Sequence, residues 1–278
     1  MGGSFALALK RAGLVKTVVG YSKSPSTTER ARKMGVIDVE APSALLAVSG
    51  ADIVLIAVPV AATEATLKSI KHLLNPQMLI MDVGSTKHNV VEAARLVLRE
   101  QLGSFVPAHP ITGKEVSGIE HADVDLYVDK QVILTPIEHT QTRQLQMAMD
   151  VWKALGCRVQ QMSPEAHDAA FAAVSHLPHM LAFSLMNSIS SQDKGQDFLS
   201  LAGPGFRDFT RIAASDPNVW RDILLSNREE LLSQSRIFRD HLKAFERMLL
   251  RGKSKEVDDL ITKASLARSQ WRMNQTEE

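Results

Sequence analysis

Polar residues that could do chemistry gather where apolar runs end. His109-Pro110-Ile111-Thr112-Gly113-Lys114-Glu115 follows the run Ser104–Ala108. A histidine there, kept out of a helix by the next proline, suits a general base at neutral pH. Asp82-Val83-Gly84-Ser85-Thr86-Lys87 follows the apolar Met78–Met81. Its hydroxyls could meet a cofactor or substrate, and Ser85 or Thr86 could equally cap a helix starting near His88. In Ser175-His176-Leu177-Pro178-His179 the histidines stand at i and i+3, on one helical face, with Pro178 expected to kink the helix. Neither a cysteine nor a carboxylate set accompanies them, so a metal is not expected. Gly203-Pro204-Gly205-Phe206-Arg207-Asp208-Phe209-Thr210-Arg211 ends on a guanidinium whose planar fork fits a carboxylate. Asp208, three residues earlier, is the alternative partner. Trp220, after Asp216-Pro217, reads first as packing.

The elements that must position these residues alternate up to Met162. Strands are expected at Thr17–Tyr21, Asp52–Pro59, Met78–Val83, Ser104–His109, Gln131–Pro136 and Arg158–Gln161, with helices at Thr28–Met34 and Gln141–Leu155. Near-continuous apolar strands are those of a parallel sheet covered on both faces. β/α alternation implies a doubly wound sheet, which binds ligands at the carboxyl ends of its strands. The opening Met1-Gly2-Gly3-Ser4-Phe5 reads as the end of a G-x-G-x-x-G dinucleotide fingerprint, with Gly2 its last glycine and Gly3 and Ser4 opening the helix. The first strand and first two glycines are not in the sequence, so a natural protein longer by roughly ten to twenty residues is expected. The fold class is therefore α/β: a Rossmann-like domain over residues 1–162, then an all-helical domain over 163–278. Ser163-Pro164-Glu165 opens the second part as N-cap, first-turn proline and first-turn acid. A long helix toward Ser190 and stretches near Val219–Leu232, Ser233–Leu250 and Lys253–Arg268 follow, their apolar faces suiting a homodimer.

Composition narrows the functional classes. Thirty-two Lys and Arg against 31 Asp and Glu leave a net charge of +1, without the basic stripe nucleic acid would need. The single cysteine, Cys157, allows no internal disulfide and fits a reducing compartment, and it reads as a packed thiol. No long charge-free apolar run is expected, hence no membrane span. The expected protein is soluble, cytoplasmic and a binder of small molecules.

Taken in order, Gly-Gly-Ser-Phe (2–5), Ala-Val-Pro (57–59), Asp-Val-Gly-Ser-Thr-Lys (82–87), His-Pro-Ile-Thr-Gly-Lys-Glu (109–115), Ser-His-Leu-Pro-His (175–179) and Gly-Phe-Arg-Asp-Phe-Thr-Arg (205–211) with Asp-Pro-x-x-Trp (216–220) resemble the prephenate/arogenate dehydrogenase family of tyrosine biosynthesis. The resemblance implies oxidative decarboxylation of prephenate to 4-hydroxyphenylpyruvate, or of arogenate to tyrosine, with hydride passing to a nicotinamide cofactor. On it, His109 is the base at the ring hydroxyl and Ser85 orients substrate and histidine. Arg211 binds a substrate carboxylate. His179 and His176 belong to the substrate pocket, with Glu115, Asp208 and Trp220 in support. Gly2, Gly3, Ser4, Ser22, Lys23, Val58, Pro59 and Ser85 are expected on the cofactor, and the helical domain to dimerise. NAD-preferring enzymes place an acid after the second strand. This sequence has Tyr21-Ser22-Lys23-Ser24, which suits a 2′-phosphate and therefore NADP. The alternatives are a two-domain hydroxyacid dehydrogenase, disfavoured because Ser163–Ser190 holds no lysine, and a non-catalytic helical dimer with a crippled nucleotide domain.

Overall fold

The computed structural model describes residues 1–272 except Glu115. In chain order it has α1 (Gly2–Arg11), β1 (Val19–Gly20), α2 (Pro25–Lys33), β2 (Val39–Glu40), the one-turn α3 (Ala44–Ala47), β3 (Ile53–Ile56), α4 (Thr63–Ile70), β4 (Leu79–Asp82), α5 (His88–Leu98), β5 (Phe105–Val106), β6 (Ala108–Pro110), β7 (Gln131–Leu134), α6 (Thr142–Ala154) and β8 (Arg158–Gln161). Helices alone follow: α7 (Pro164–Phe171), α8 (Leu177–Ser190), α9 (Gly195–Ser200), α10 (Pro204–Thr210), α11 (Pro217–Ser226), α12 (Arg228–Leu250) and α13 (Ser254–Gln270).

β3, β4 and β5 are parallel, with Ile53 opposite Leu79 and Ile80 opposite Phe105. β4 shows why its sequence is apolar throughout. All four of its residues are buried, Ile80 in a core with α4 and α5, Leu79 and Met81 in a second core with Phe5, Tyr127 and Trp152. Alternate side chains point to opposite faces, so a strand covered on both sides has no polar face. β1 and β2 form a separate parallel pair.

The expected strand Ser104–His109 divides. Pro107 has no N–H to give a ladder, and its carbonyl accepts from Thr135 N (2.9 Å). β5 therefore ends in one sheet and β6 begins in another, antiparallel to β7 with His109 opposite Ile133. β8 then runs parallel to β7. The doubly wound pattern thus carries one antiparallel pair, β6 with β7.

Among the helices, Ser163 caps α7 by accepting from Ala166 N, and Asp216 caps α11 by accepting from Asn218 N and Val219 N. The helix expected to run to Ser190 is interrupted by a π turn at Ala172–His176, just before Pro178. Proline cannot donate to the carbonyl four residues back, and the widened turn absorbs that loss. The expected helix break at Leu232–Ser233 lies instead at Asn227, which leaves helical geometry (φ −111°, ψ 31°) to use its side chain elsewhere. Contrary to the expectation of no long apolar run, one helical stretch among the described residues is of that kind. Pro164–Ser190 is long and apolar enough to cross a membrane by length and composition. Yet its His167, Asp168 and His176 are buried in polar contacts with neighbouring elements. The chain falls into two compact units, Met1–Leu231 and Leu232–Glu278. Every candidate site residue lies in the first.

Candidate active site

The loop after β4 is built around a buried ion pair. Asp82 accepts from Lys87 Nζ (2.5 Å) and Gly84 N (2.8 Å) on one oxygen and from Ala108 N (3.1 Å) on the other. Lys87 Nζ also donates to Ala108 O (2.7 Å). The pair thus grips both main-chain groups of the residue before His109, at the place where β5 has given way to β6. Gly84 is required by space: a Cβ there would stand 2.9 Å from Asp82 Oδ2. Burial pushes the Lys87 amine down while Asp82 pulls it back up.

α5 begins at His88, but neither Ser85 nor Thr86 caps it. The cap comes from Asp168 on α7, whose carboxylate accepts from Lys87 N (2.8 Å) and His88 N (2.9 Å). The same carboxylate takes His167 Nδ1 at 2.8 Å, and His167 Nε2 lies 2.8 Å from His109 Nδ1. Phe171 stacks on His167 (ring centroids 4.4 Å) and packs against His109 (4.8 Å). Burial, reinforced by His167, Lys87 and His176, holds His109 well below the ordinary histidine value, so its ring is neutral.

His176, placed by the π turn, accepts at Nδ1 from Asn227 Nδ2 (3.1 Å), which also donates to Asp168 O (2.8 Å). Its ring is buried, with the main chain of Ser85 as a further partner that pulls its titration back up. Burial lowers this histidine to about 4. One turn on, His179 donates from Nδ1 to Ser175 O (2.9 Å) and stacks on Trp220 with centroids 3.4 Å apart and planes 18° from parallel. Burial lowers His179 too, and the Arg211 charge adds to the effect. Trp220 is therefore packing for two histidines, with His176 at 6.2 Å on its edge.

Family comparison decides what this arrangement belongs to. The model for the prephenate dehydrogenase nucleotide-binding domain matches residues 5–161, and that for the prephenate dehydrogenase dimerization domain matches 163–263. The prephenate dehydrogenase of Bacillus subtilis is 37% identical over 236 residues, 84% of this chain and 63% of that protein. The cyclohexadienyl dehydrogenase of Zymomonas mobilis is 36% identical, covering 84% of this chain and 79% of that one. A crystal structure of the Aquifex aeolicus prephenate dehydrogenase with hydroxyphenyl propionate and NAD+ superposes with a TM-score of 0.90 at 34% identity, over 96% of this chain and 93% of that one.

The chain belongs to the prephenate dehydrogenase family.

In this family member the structure brings together, within one unit, His109, the Ser85 loop, His176, His179 and Trp220. Arg211 is exposed and electrostatically felt by His179. Asp208 is exposed and bonded by Arg207 Nε (3.2 Å). Glu115 lies outside the described residues. On the cofactor side, Gly2 opens α1 against the end of β3, where a Cβ would come within 2.9 Å of Ala57 Cβ. A close glycine approach of helix to strand is what a dinucleotide fold asks of its last fingerprint glycine, so the residues present fit a nicotinamide dinucleotide. At Gly3 a Cβ would meet the flexible end of Ile119 at 2.5 Å and Ala122 Cβ at 3.1 Å. Ser4 Oγ accepts from Asp123 N (3.0 Å). Val58 packs on the α4–α5 core, and Pro59 precedes a short 3-10 turn at Val60–Ala62. Ser22 Oγ accepts from Ser24 N (3.2 Å) after β1, with Lys23 exposed beside it. His167, Asp168 and Asn227 join the site without having stood out in the sequence. The adjacent His-Asp pair near the start of an otherwise apolar helix was the available signal.

Proposed function

We propose that this chain catalyses oxidative decarboxylation of prephenate, or of its amino analogue arogenate, with NAD(P) as hydride acceptor, in tyrosine biosynthesis. The observation that carries the reading is His109. It is a neutral buried histidine whose Nδ1 is engaged by His167, at the strand end where the gripped Ala108 fixes its position.

A nicotinamide, when bound, supplies the acceptor for the hydride leaving the ring carbon that bears the hydroxyl. His109 Nε2 takes the hydroxyl proton as that hydride departs. The electron pair of the breaking C–CO2 bond enters the ring, carbon dioxide leaves, and the resulting phenolate takes a proton back. Aromatisation drives the reaction, so the protein's share is orientation, a base and the binding of two carboxylates. Ser85 orients the hydroxyl and the imidazole. Arg211 holds a substrate carboxylate in its fork. His179, stacked on Trp220, and His176 line the substrate side, with Glu115 and Asp208 in support. Residues 1–162 serve the cofactor, and 163–278 serve substrate and dimerisation. Among the described residues no group of three or more metal-ligating side chains is found, and the scheme uses no metal.

Two finer features go with this reading. Ser22 and Lys23 after β1, with no acid beside them, favour NADP over NAD. The exposed apolar residues of α12 and α13, among them Ile237, Leu242, Leu249 and Ile261, pair two copies of the chain as a soluble cytoplasmic homodimer. The test is formation of reduced cofactor from prephenate and from arogenate with each nicotinamide. Turnover of either substrate, with a higher kcat/KM for NADP, is expected. No turnover with either would overturn the reading, and a higher kcat/KM for NAD would overturn the cofactor preference alone.

A further inference from the structure

We propose that His167, oriented by Asp168, is a positioning residue that holds His109 in the Nδ1–H tautomer and leaves Nε2 as the lone pair facing the substrate. This deepens the proposed function and rests on His109 being its base.

The N–H groups of Lys87 and His88 aim at Asp168 and fix its carboxylate at the start of α5. A carboxylate holding those two N–H donors can only accept, so His167 Nδ1, 2.8 Å away, carries a hydrogen. A neutral imidazole has one N–H, so His167 Nε2 is the acceptor in its 2.8 Å contact with His109 Nδ1. His109 Nδ1 is then the donor, and its own Nε2 is left with a lone pair. Free imidazole would populate both tautomers, and only one of them can accept the hydroxyl proton at Nε2. Phe171, packed against both rings, keeps them from turning. The adjacent pair on α7 therefore acts on the reacting atom through two hydrogen bonds, without reaching the substrate. A purely structural network would hold α7 to the β4–α5 loop and would not care which nitrogen of His109 bears the hydrogen.

The tautomer is read directly from imidazole 15N shifts of the whole protein without substrate, with His109→Gln removing and so assigning the His109 signals. A pyrrole-type Nδ1 and a pyridine-type Nε2 on His109 are expected at neutral pH. In His167→Leu the two His109 nitrogens should move toward mixed or reversed shifts. Its kcat should fall on the order of 10²- to 10⁴-fold, as when a catalytic histidine loses the partner that sets its tautomer, with substrate KM within threefold. His167→Gln, whose amide oxygen can accept from Nδ1, should recover part of kcat. A pyrrole-type Nε2 in the unaltered protein overturns the proposal whatever the variants do. So does a folded His167→Leu protein with unchanged His109 shifts and kcat. The shifts are read without turnover, so failure of the dehydrogenase reading would show in the prephenate and arogenate assays while the tautomer result stood separately.

Discussion

At the scale of single residues, the proposed function gives His109 and Arg211 different work, one to exchange a proton and the other to hold charge. His109→Gln keeps a hydrogen-bonding side chain and cannot accept a proton, so kcat should fall by about 10²- to 10⁴-fold, the usual worth of a general base. Steady-state kinetics with saturating cofactor check this, and a kcat within threefold would remove His109 from the role. As the proposed carboxylate ligand, Arg211 would act through geometry. Lysine keeps its charge but not its two parallel N–H donors, and a charge-assisted hydrogen bond is worth about 1.5–3 kcal/mol. Arg211→Lys should therefore raise substrate KM roughly 10- to 100-fold with kcat little changed. A lowered kcat at unchanged KM would place Arg211 outside ground-state binding.

At the scale of elements, the decisive structure is the junction where β4, α5 and β6 meet. Lys87 and Asp82 are both buried and satisfy each other as well as Ala108. Removing one partner of such a pair leaves a buried charge uncompensated, at a cost of about 3–5 kcal/mol. Lys87→Met should lower the urea midpoint accordingly, and an unchanged midpoint would show that water reaches Asp82. Much of the local structure was legible beforehand because its causes are local. The cap at Ser163 and the apolar β3 and β4 follow from residues a few positions apart. The junction was not legible, because its causes are distant in sequence. Asp168 caps a helix 80 residues away, and Asn227 reaches back 59 residues to Asp168. The split at Pro107 was written in the sequence as a proline, but the antiparallel partner that β6 takes is decided by tertiary pairing. Of the candidate site, the residues at strand ends and the paired histidines stood out in the sequence by type and spacing. Their orienting partners sat near the start of what read as a long apolar helix.

At the scale of the whole molecule, burying so many neutral histidines ties stability to pH. His109, His167, His176 and His179 are all held below the ordinary value of 6.5, each chiefly by burial. The unfolded chain therefore binds protons on them first. Their contribution to stability is complete above pH 6.5 and is lost as the pH falls toward each folded-state value. For His176 that window runs from 6.5 to about 4, and its full width corresponds to roughly 3 kcal/mol. Asp168 joins only later. Its burial is outweighed by bonds from His167, His88 and Lys87, which hold it below 3.8, so its loss begins under that pH. Urea unfolding at pH 7 and pH 5 should show a lower midpoint at pH 5. His176→Gln, which keeps a neutral hydrogen-bonding side chain, should show a smaller drop between the two. Equal midpoints for the unaltered protein would mean that these rings already accept protons while the chain is folded. The same acid drop in His176→Gln would assign it to the other three histidines.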